Sequence, residues 1–188
     1  MSWNKITSYV LVFIAFMVPT VGSSAQDTLA AGQIFVRSQA VLDEPRGLCL
    51  DIPGHRERVD VARDLVVHTC KRGIWNLDER FSAAEFEGGV LRMPEYDQCV
   101  VGRGMHADSP VGLMHCDGSP AQQWRFTGQR LMPKMYDKLC LTIGSESSEL
   151  TPGGRRLPSR HVARSVGLAA CSDDAADRQR WIVESPDG

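Results

Sequence analysis

The sequence predicts an all-β domain built from three copies of one unit, and three observations carry that prediction. A pair of cysteines recurs three times in a fixed order with the same apolar runs around it. Each copy closes on Gln-x-Trp or a near relative. Between these signals the chain is a series of short apolar runs punctuated by Gly, Pro, Asp and Ser, the pattern of strands and turns.

The first copy runs Cys49-Leu50-Asp51-Ile52, then Leu65-Val66-Val67-His68-Thr69-Cys70, then Glu79-Arg80-Phe81. In the second, Cys99-Val100-Val101-Gly102 leads to Val111-Gly112-Leu113-Met114-His115-Cys116 and then to Gln122-Gln123-Trp124. The third reads Cys140-Leu141-Thr142-Ile143, Val166-Gly167-Leu168-Ala169-Ala170-Cys171 and Gln179-Arg180-Trp181. The stretches leading into the second and third copies also match, Phe86-Glu87-Gly88-Gly89-Val90-Leu91 with Phe126-Thr127-Gly128-Gln129-Arg130-Leu131. Gly32-Gln33-Ile34-Phe35-Val36 is a fainter first version. First cysteines stand 50 and 41 residues apart, a spacing suited to one supersecondary unit per repeat. A unit of about four strands cannot bury its own apolar face, so three must close on a shared core. No helical periodicity stands out beyond the N-terminus, and Val59 to Leu65 reads as a loop or a single helical turn.

The first residues read as an export signal. Lys5 precedes an apolar run from Tyr9 to Val18, followed by Pro19 and the small residues Gly22-Ser23-Ser24-Ala25. This order places a cleavage site between Ala25 and Gln26, and an uncleaved anchor is the alternative. The run falls short of the about 20 apolar residues of a membrane span. Residues 1–25 are thus expected to be a signal peptide, 26–32 a short N-terminal segment and 33–186 one domain, with repeats near 33–84, 85–126 and 127–186. Loss of the signal changes the formal charge from −2 to −3, which argues against nucleic acid or a membrane surface as a general partner. Six cysteines in an exported chain suggest disulfides, for which 15 connectivities exist by number alone.

With its Cys…Cys pairs and Gln-x-Trp closures, the chain resembles the ricin B-type lectins over about residues 33–185. That resemblance implies a β-trefoil. Phe81, Trp124 and Trp181 then become core aromatics, each removing some 150–250 Å² from water. Gln122 and Gln179 are expected to bond to the backbone, since a buried amide must be paired. Glu79 departs from the pattern and is expected to be exposed, or paired with Arg80 or another neighbour. The repeats favour one bridge inside each copy: Cys49–Cys70, Cys99–Cys116 and Cys140–Cys171. No cysteine is left for catalysis, and without Cys-x-x-Cys or a close His pair neither a metal nor any other cofactor is expected.

The resemblance also implies one shallow sugar site per repeat. Its pattern is an Asp two residues after the first cysteine, a Gln and an aromatic at four and two before the second, and an Asn just before Gln-x-Trp. A carboxylate accepts adjacent sugar hydroxyls while a flat ring packs on the apolar face of the pyranose. The first copy keeps Asp51, His68 and Asp78 at three of these places, with Val66 where Gln is expected. Val101, Gly112, Met114 and Ala121 make the second site dead, and Thr142, Gly167, Ala169 and Arg178 leave the third scarcely better. A structural turn residue and a half-buried imidazole are the plainer reading of Asp51 and His68. One shallow site implies millimolar affinity, about −4 kcal/mol.

Copy three carries an insertion from Ser145 to Val162 that turns basic at Arg155, Arg156, Arg160 and His161, with Arg164 following. Such a cluster suits a sulfated or carboxylated glycan, a phosphate or an acidic protein, although a solvated loop is what the composition favours. Three functions follow for comparison. A secreted or periplasmic carbohydrate-binding module, taking galactose or another saccharide, is the leading expectation. A protein-interaction or delivery subunit of a secreted complex or toxin, with sugar binding lost, is the second. An enzyme is not expected, because no nucleophile–base or paired-acid arrangement is distinguishable.

Overall fold

The computed structural model describes Met1 and residues 32–187, so the expected signal peptide and nearly all of segment 26–32 lie outside the described residues. Repeat one supplies strands β1 (Gln33–Ser38), β2 (Leu48–Asp51), β3 (Val66–Thr69) and β4 (Phe81–Ser82), followed by the short helix α1 (Ala83–Glu87). Repeat two supplies β5 (Arg92–Met93), β6 (Gln98–Gly102), β7 (Val111–His115) and β8 (Trp124–Thr127). In repeat three come β9 (Arg130–Pro133), β10 (Leu139–Ile143), β11 (Glu149–Leu150), the helix α2 (Pro152–Arg156), β12 (Val162–Ala170), the helix α3 (Ala176–Gln179) and β13 (Trp181–Glu184).

The middle strands of each repeat form an antiparallel hairpin: β2 with β3, β6 with β7, and β10 with β12. Opening and closing strands interlock around the centre, β1 with both β4 and β13, and β8 with β9. This is the β-trefoil that the resemblance implies, and the three bridges join Cys49–Cys70, Cys99–Cys116 and Cys140–Cys171 within their own repeats.

Phe81, Trp124 and Trp181 are buried in one apolar cluster with Leu50, Val100 and Leu141 from the hairpins. Each indole also finds an acceptor, as a buried N–H must. Trp124 Nε1 donates to the Val100 carbonyl at 2.9 Å and Trp181 Nε1 to that of Leu141 at 3.0 Å. The closing glutamines act as backbone clamps. Gln122 accepts from the Asp117 and Gly118 N–H groups and donates to the His115 carbonyl. Gln179 accepts from Ser172 N–H and donates to the Ala170 carbonyl and the Thr142 hydroxyl.

Local chemistry modifies the symmetry in three places. The matched segments at Phe86 and Phe126 take different forms, helix α1 and strand β8. Ser82 caps the first by accepting from Glu85 N–H, so a run of Ala and Glu winds into a turn where repeat two stays extended. Gly89 next to it has φ +85°, and a Cβ there would lie 2.5 Å from the Trp124 carbonyl oxygen, so glycine is required. Val59 to Leu65 forms turns rather than a helix, the one helical turn lying earlier at Arg56–Arg58.

The insertion of repeat three is built into the fold rather than left as a solvated loop. Strand β12 runs past its own hairpin and pairs with β3 of repeat one, setting Ala163 opposite His68. Strand β11 adds to β12, and Thr151 caps α2 by accepting from Gly154 N–H at 2.9 Å. Arg46 donates to the carbonyls of Ser159 and Arg160, and Asp43 accepts from the Ser148 N–H and hydroxyl. Thr151→Ala is expected to cost about 1 kcal/mol of local stability through the lost cap. Hydrogen exchange of the amides of 151–161 should then rise about fivefold with the global unfolding midpoint unchanged.

Candidate functional site

Strand β2 ends at Asp51, β3 carries His68, and a 3-10 turn at Leu77–Glu79 carries Asp78 and Glu79. The hairpin and the turn are fastened together by Ile52 N–H donating to the Asp78 carbonyl. The three acids therefore converge, and all are buried: Asp51 is 2 % exposed, Asp78 and Glu79 0 %. Buried charges require a counter-charge, and Lys71 supplies it. Its ammonium donates to Asp51 Oδ2 at 2.8 Å and to Asp78 Oδ2 at 2.6 Å, and lies 3.9 Å from Glu79 Oε1. Glu79 Oε2 accepts from the Lys71 backbone N–H at 2.8 Å.

Of the alternatives for Glu79, pairing with another neighbour holds: it is buried and set against Lys71, not exposed and not paired with Arg80. The Arg80 guanidinium goes to Asn76 Oδ1 and Gln33 Oε1 instead. Glu79 takes the clamp position of Gln122 and Gln179 but has no N–H to give. The Thr69 carbonyl, which stands where His115 and Ala170 stand in the other repeats, takes a bond from His68 Nδ1 at 2.7 Å. Asp51 Oδ1, Asp78 Oδ1 and Glu79 Oε1 are left without hydrogen-bond partners among the described residues.

One cation among three buried carboxylates shifts every pKa in the cluster. Burial raises Asp51 well above the usual carboxylate range, with the Asp78 and Glu79 charges adding to the rise and Lys71 opposing it. Burial likewise raises Asp78, and it pushes Glu79 up to about 8. Burial works against the Lys71 ammonium too, but the surrounding carboxylates outweigh it and hold Lys71 above an ordinary lysine. His68 is lowered by burial, and burial together with the His68 charge takes His161 down to about 4. Asp51, His68 and Glu79 place ligand atoms within 4.8 Å of one another, a spacing a metal ion could use, but the Lys71 ammonium lies among them as the resident cation.

Above this cluster opens a cleft of about 980 Å³ between repeat one and the insertion of repeat three. Asp51, His68 and Lys71 line it from repeat one, Arg155, Arg156 and His161 from the insertion, and Arg164 from β12 just after it. The His68 and His161 rings, both in its lining, pack edge to face on each other with centroids 5.2 Å apart. Two groups of residues that sequence reading kept apart thus share one cavity. Asp78 lies beneath it, behind Lys71, and Arg160 lies outside its lining with its carbonyl engaged by Arg46.

The equivalent places in the other repeats are filled by the protein itself. In repeat two the Arg103 guanidinium lies against Gly112, where a Cβ would come within 2.4 Å of its Nε, and it pairs with Asp64 at 2.6 Å. In repeat three Arg178 donates to the Ile143 carbonyl at 2.9 Å, and Gly167 packs against the Ser109 carbonyl of repeat two.

Residues 38–153 match the model of the ricin-type beta-trefoil lectin domain, and the chain belongs to that family. By sequence it matches no curated protein. Among solved structures it is similar to the agglutinin from Abrus precatorius (12 % identity, TM-score 0.57, 81 % of this chain and 48 % of that one). The chain therefore spans about half the length of the Abrus protein. It is also similar to an earthworm lectin C-terminal domain mutant in complex with 6'-sialyllactose (14 %, TM-score 0.55, 81 % and 98 %). A third likeness is the Vibrio vulnificus hemolysin/cytolysin β-trefoil lectin with N-acetyl-D-lactosamine bound (18 %, TM-score 0.52, 80 % and 92 %). These likenesses concern the fold.

Lys71 and the docking of the insertion escape sequence reading. The one signal for Lys71 is positional: a cation directly follows the second cysteine, where the other repeats carry Asp117 and Ser172.

Proposed function

We propose that this protein is an exported carbohydrate-binding module with one sugar site, in the cleft over repeat one. A single observation carries the reading. Of three pseudo-equivalent places, two are closed by Arg103 and Arg178, while the one with Asp51 and His68 opens into the cleft. The chemistry suits a saccharide. The Lys71 ammonium and Asp51 give a polar floor, the two imidazoles give flat walls, and Ile74 adds an exposed apolar face. Asp51 Oδ2 and Asp78 Oδ2 accept from Lys71, so sugar hydroxyls are read by an anchored ion pair rather than by free carboxylates. Three disulfides support an oxidising destination, extracellular or periplasmic.

Titration of the ¹⁵N-labelled protein with galactose and N-acetylgalactosamine tests this. Shifts confined to residues 51–55, 66–74 and 146–165, saturating near millimolar sugar, are expected. His68→Ala should weaken binding about tenfold, by loss of the ring wall, in a protein that keeps its dispersed spectrum. Shifts at Val101 or Thr142 instead would place binding in another repeat. No response to any saccharide would sink the lectin reading and turn attention to a protein partner, which the closure of two sites also suits.

A further inference from the structure

We infer that the cleft selects acidic saccharides, with the insertion of repeat three holding the sulfate or carboxylate of a sugar whose ring rests on repeat one. The inference rests on the proposed lectin site and adds the chemical class of its ligand.

The charge around the cleft is lopsided. Five arginines line it, Arg58 and Arg63 from repeat one, Arg155 and Arg156 from the insertion and Arg164 from β12, while the Lys71 ammonium is taken up by the buried acids. The chain as a whole has a net charge of −2. Three carboxylates share the lining, but two are engaged by the protein. Asp51 is bound to Lys71, and Glu146 accepts from the Ser165 N–H and hydroxyl. Only Glu149 is left to oppose the arginines. A cleft lined by one sign of charge with low-dielectric walls concentrates ligands of the other sign.

Arg164 gives an independent reason. Its side chain is 8 % exposed and lines the cleft, yet its Nε has no hydrogen-bond partner among the described residues. Its nearest carboxylate, Asp43, is a distant 3.5 Å from Nη1 and already accepts twice from Ser148. That Nε is closed to solvent, so an anionic oxygen in the cleft would bond the terminal nitrogens, of which Nη1 has the long contact to Asp43. Arg155 anchors one nitrogen on the Leu150 carbonyl at 2.7 Å, which holds the side chain near the cleft while its other N–H groups remain for a ligand. Strand β12, paired to β3, fixes Arg164 relative to His68. The cleft's volume of about 980 Å³ leaves room for more than one sugar ring.

The test compares galactose, galactose 6-sulfate and galacturonic acid by calorimetry or NMR on the whole protein. Expected is about tenfold tighter binding of the acidic sugars in 50 mM salt. Most of that advantage should vanish in 1 M salt, where screening acts within about 3 Å. Arg155→Gln/Arg156→Gln and, separately, Arg164→Gln should weaken the acidic sugars about tenfold and galactose far less, so that the advantage is lost. Arg125→Gln, on exposed strand β8, should change nothing. Because Arg155 and Arg156 are exposed, the double variant reports even if Arg164→Gln fails to fold. Sulfate and carboxylate arms show which acid fits the fork. Equal affinity for galactose and its acidic derivatives overturns the inference while the lectin site stands. A preference that survives the arginine substitutions overturns it as well. If none of the three sugars binds, the site itself fails along with the inference.

Discussion

Lys71→Met is expected to destabilise the protein by about 3–5 kcal/mol, the effect of removing one partner from a buried ion cluster. Among the described residues its ammonium is the only cation within 4 Å of the three buried acids apart from the neutral-leaning imidazole of His68. Methionine matches the lysine stem in length, so packing is largely kept and the loss reports the charge. Without the ammonium, Asp51, Asp78 and Glu79 must fold protonated or pay the full desolvation penalty. The variant should therefore gain stability as pH falls from 8 towards 5, and adding Asp51→Asn should recover part of the loss by removing one of three like charges. Urea unfolding at pH 5 and pH 8 measures all three effects. A loss below about 1 kcal/mol at pH 8 would mean that the acids find water or another cation, and that Lys71 is not what holds them.

How far the sequence reveals this protein depends on how local each signal is. The trefoil is legible because its signals repeat along the chain. Cysteine, hairpin and Gln-x-Trp recur in register, and Trp124 and Trp181 answer to the same physical need at two points. The candidate site is only half legible. Asp51, His68 and Asp78 are found by their place in the repeat, but whether a carboxylate is free depends on what converges on it in space. Lys71 lies 20 residues from Asp51 in sequence and 2.8 Å from it in the fold. The insertion illustrates the same limit. Its arginines read as a solvated cluster until the pairing of β12 with β3, which joins residues 95 apart, brings them over His68. Phe86 shows a local signal overriding the repeat. Its segment matches that of Phe126, yet the Ser82 cap winds it into a helix, and the two rings end up packed against each other at 5.4 Å.

Glu79→Gln is expected to stabilise the protein by roughly 2–4 kcal/mol at pH 8.5 and to have little effect at pH 5. Burial pushes the Glu79 carboxyl up to about 8 in the fold, from an ordinary value of 4.5. A raised carboxyl binds its proton more tightly when folded, so its contribution is complete below 4.5 and is lost as pH rises through 8. Asp51 and Asp78 are raised too and act in the same direction. The histidines act oppositely: His68, His161 and His55 are lowered by burial, so their contribution is lost only as pH falls below about 6.5. Between pH 6.5 and 8.5 the acids alone set the slope, and the natural protein should lose stability across that window. Glutamine cannot ionise, and it is the residue that the other repeats use at this position. Its oxygen can keep the bond from Lys71 N–H, and its amide can donate toward the Thr69 carbonyl as Gln122 does toward that of His115. Thermal unfolding at half-unit steps from pH 5 to 9 should show the decline above pH 6.5 reduced in Glu79→Gln, with Asp51 and Asp78 leaving a smaller residual slope. An unchanged decline would assign the proton to the two aspartates, and a destabilised variant at pH 8.5 would show that repeat one requires the charge its relatives lack.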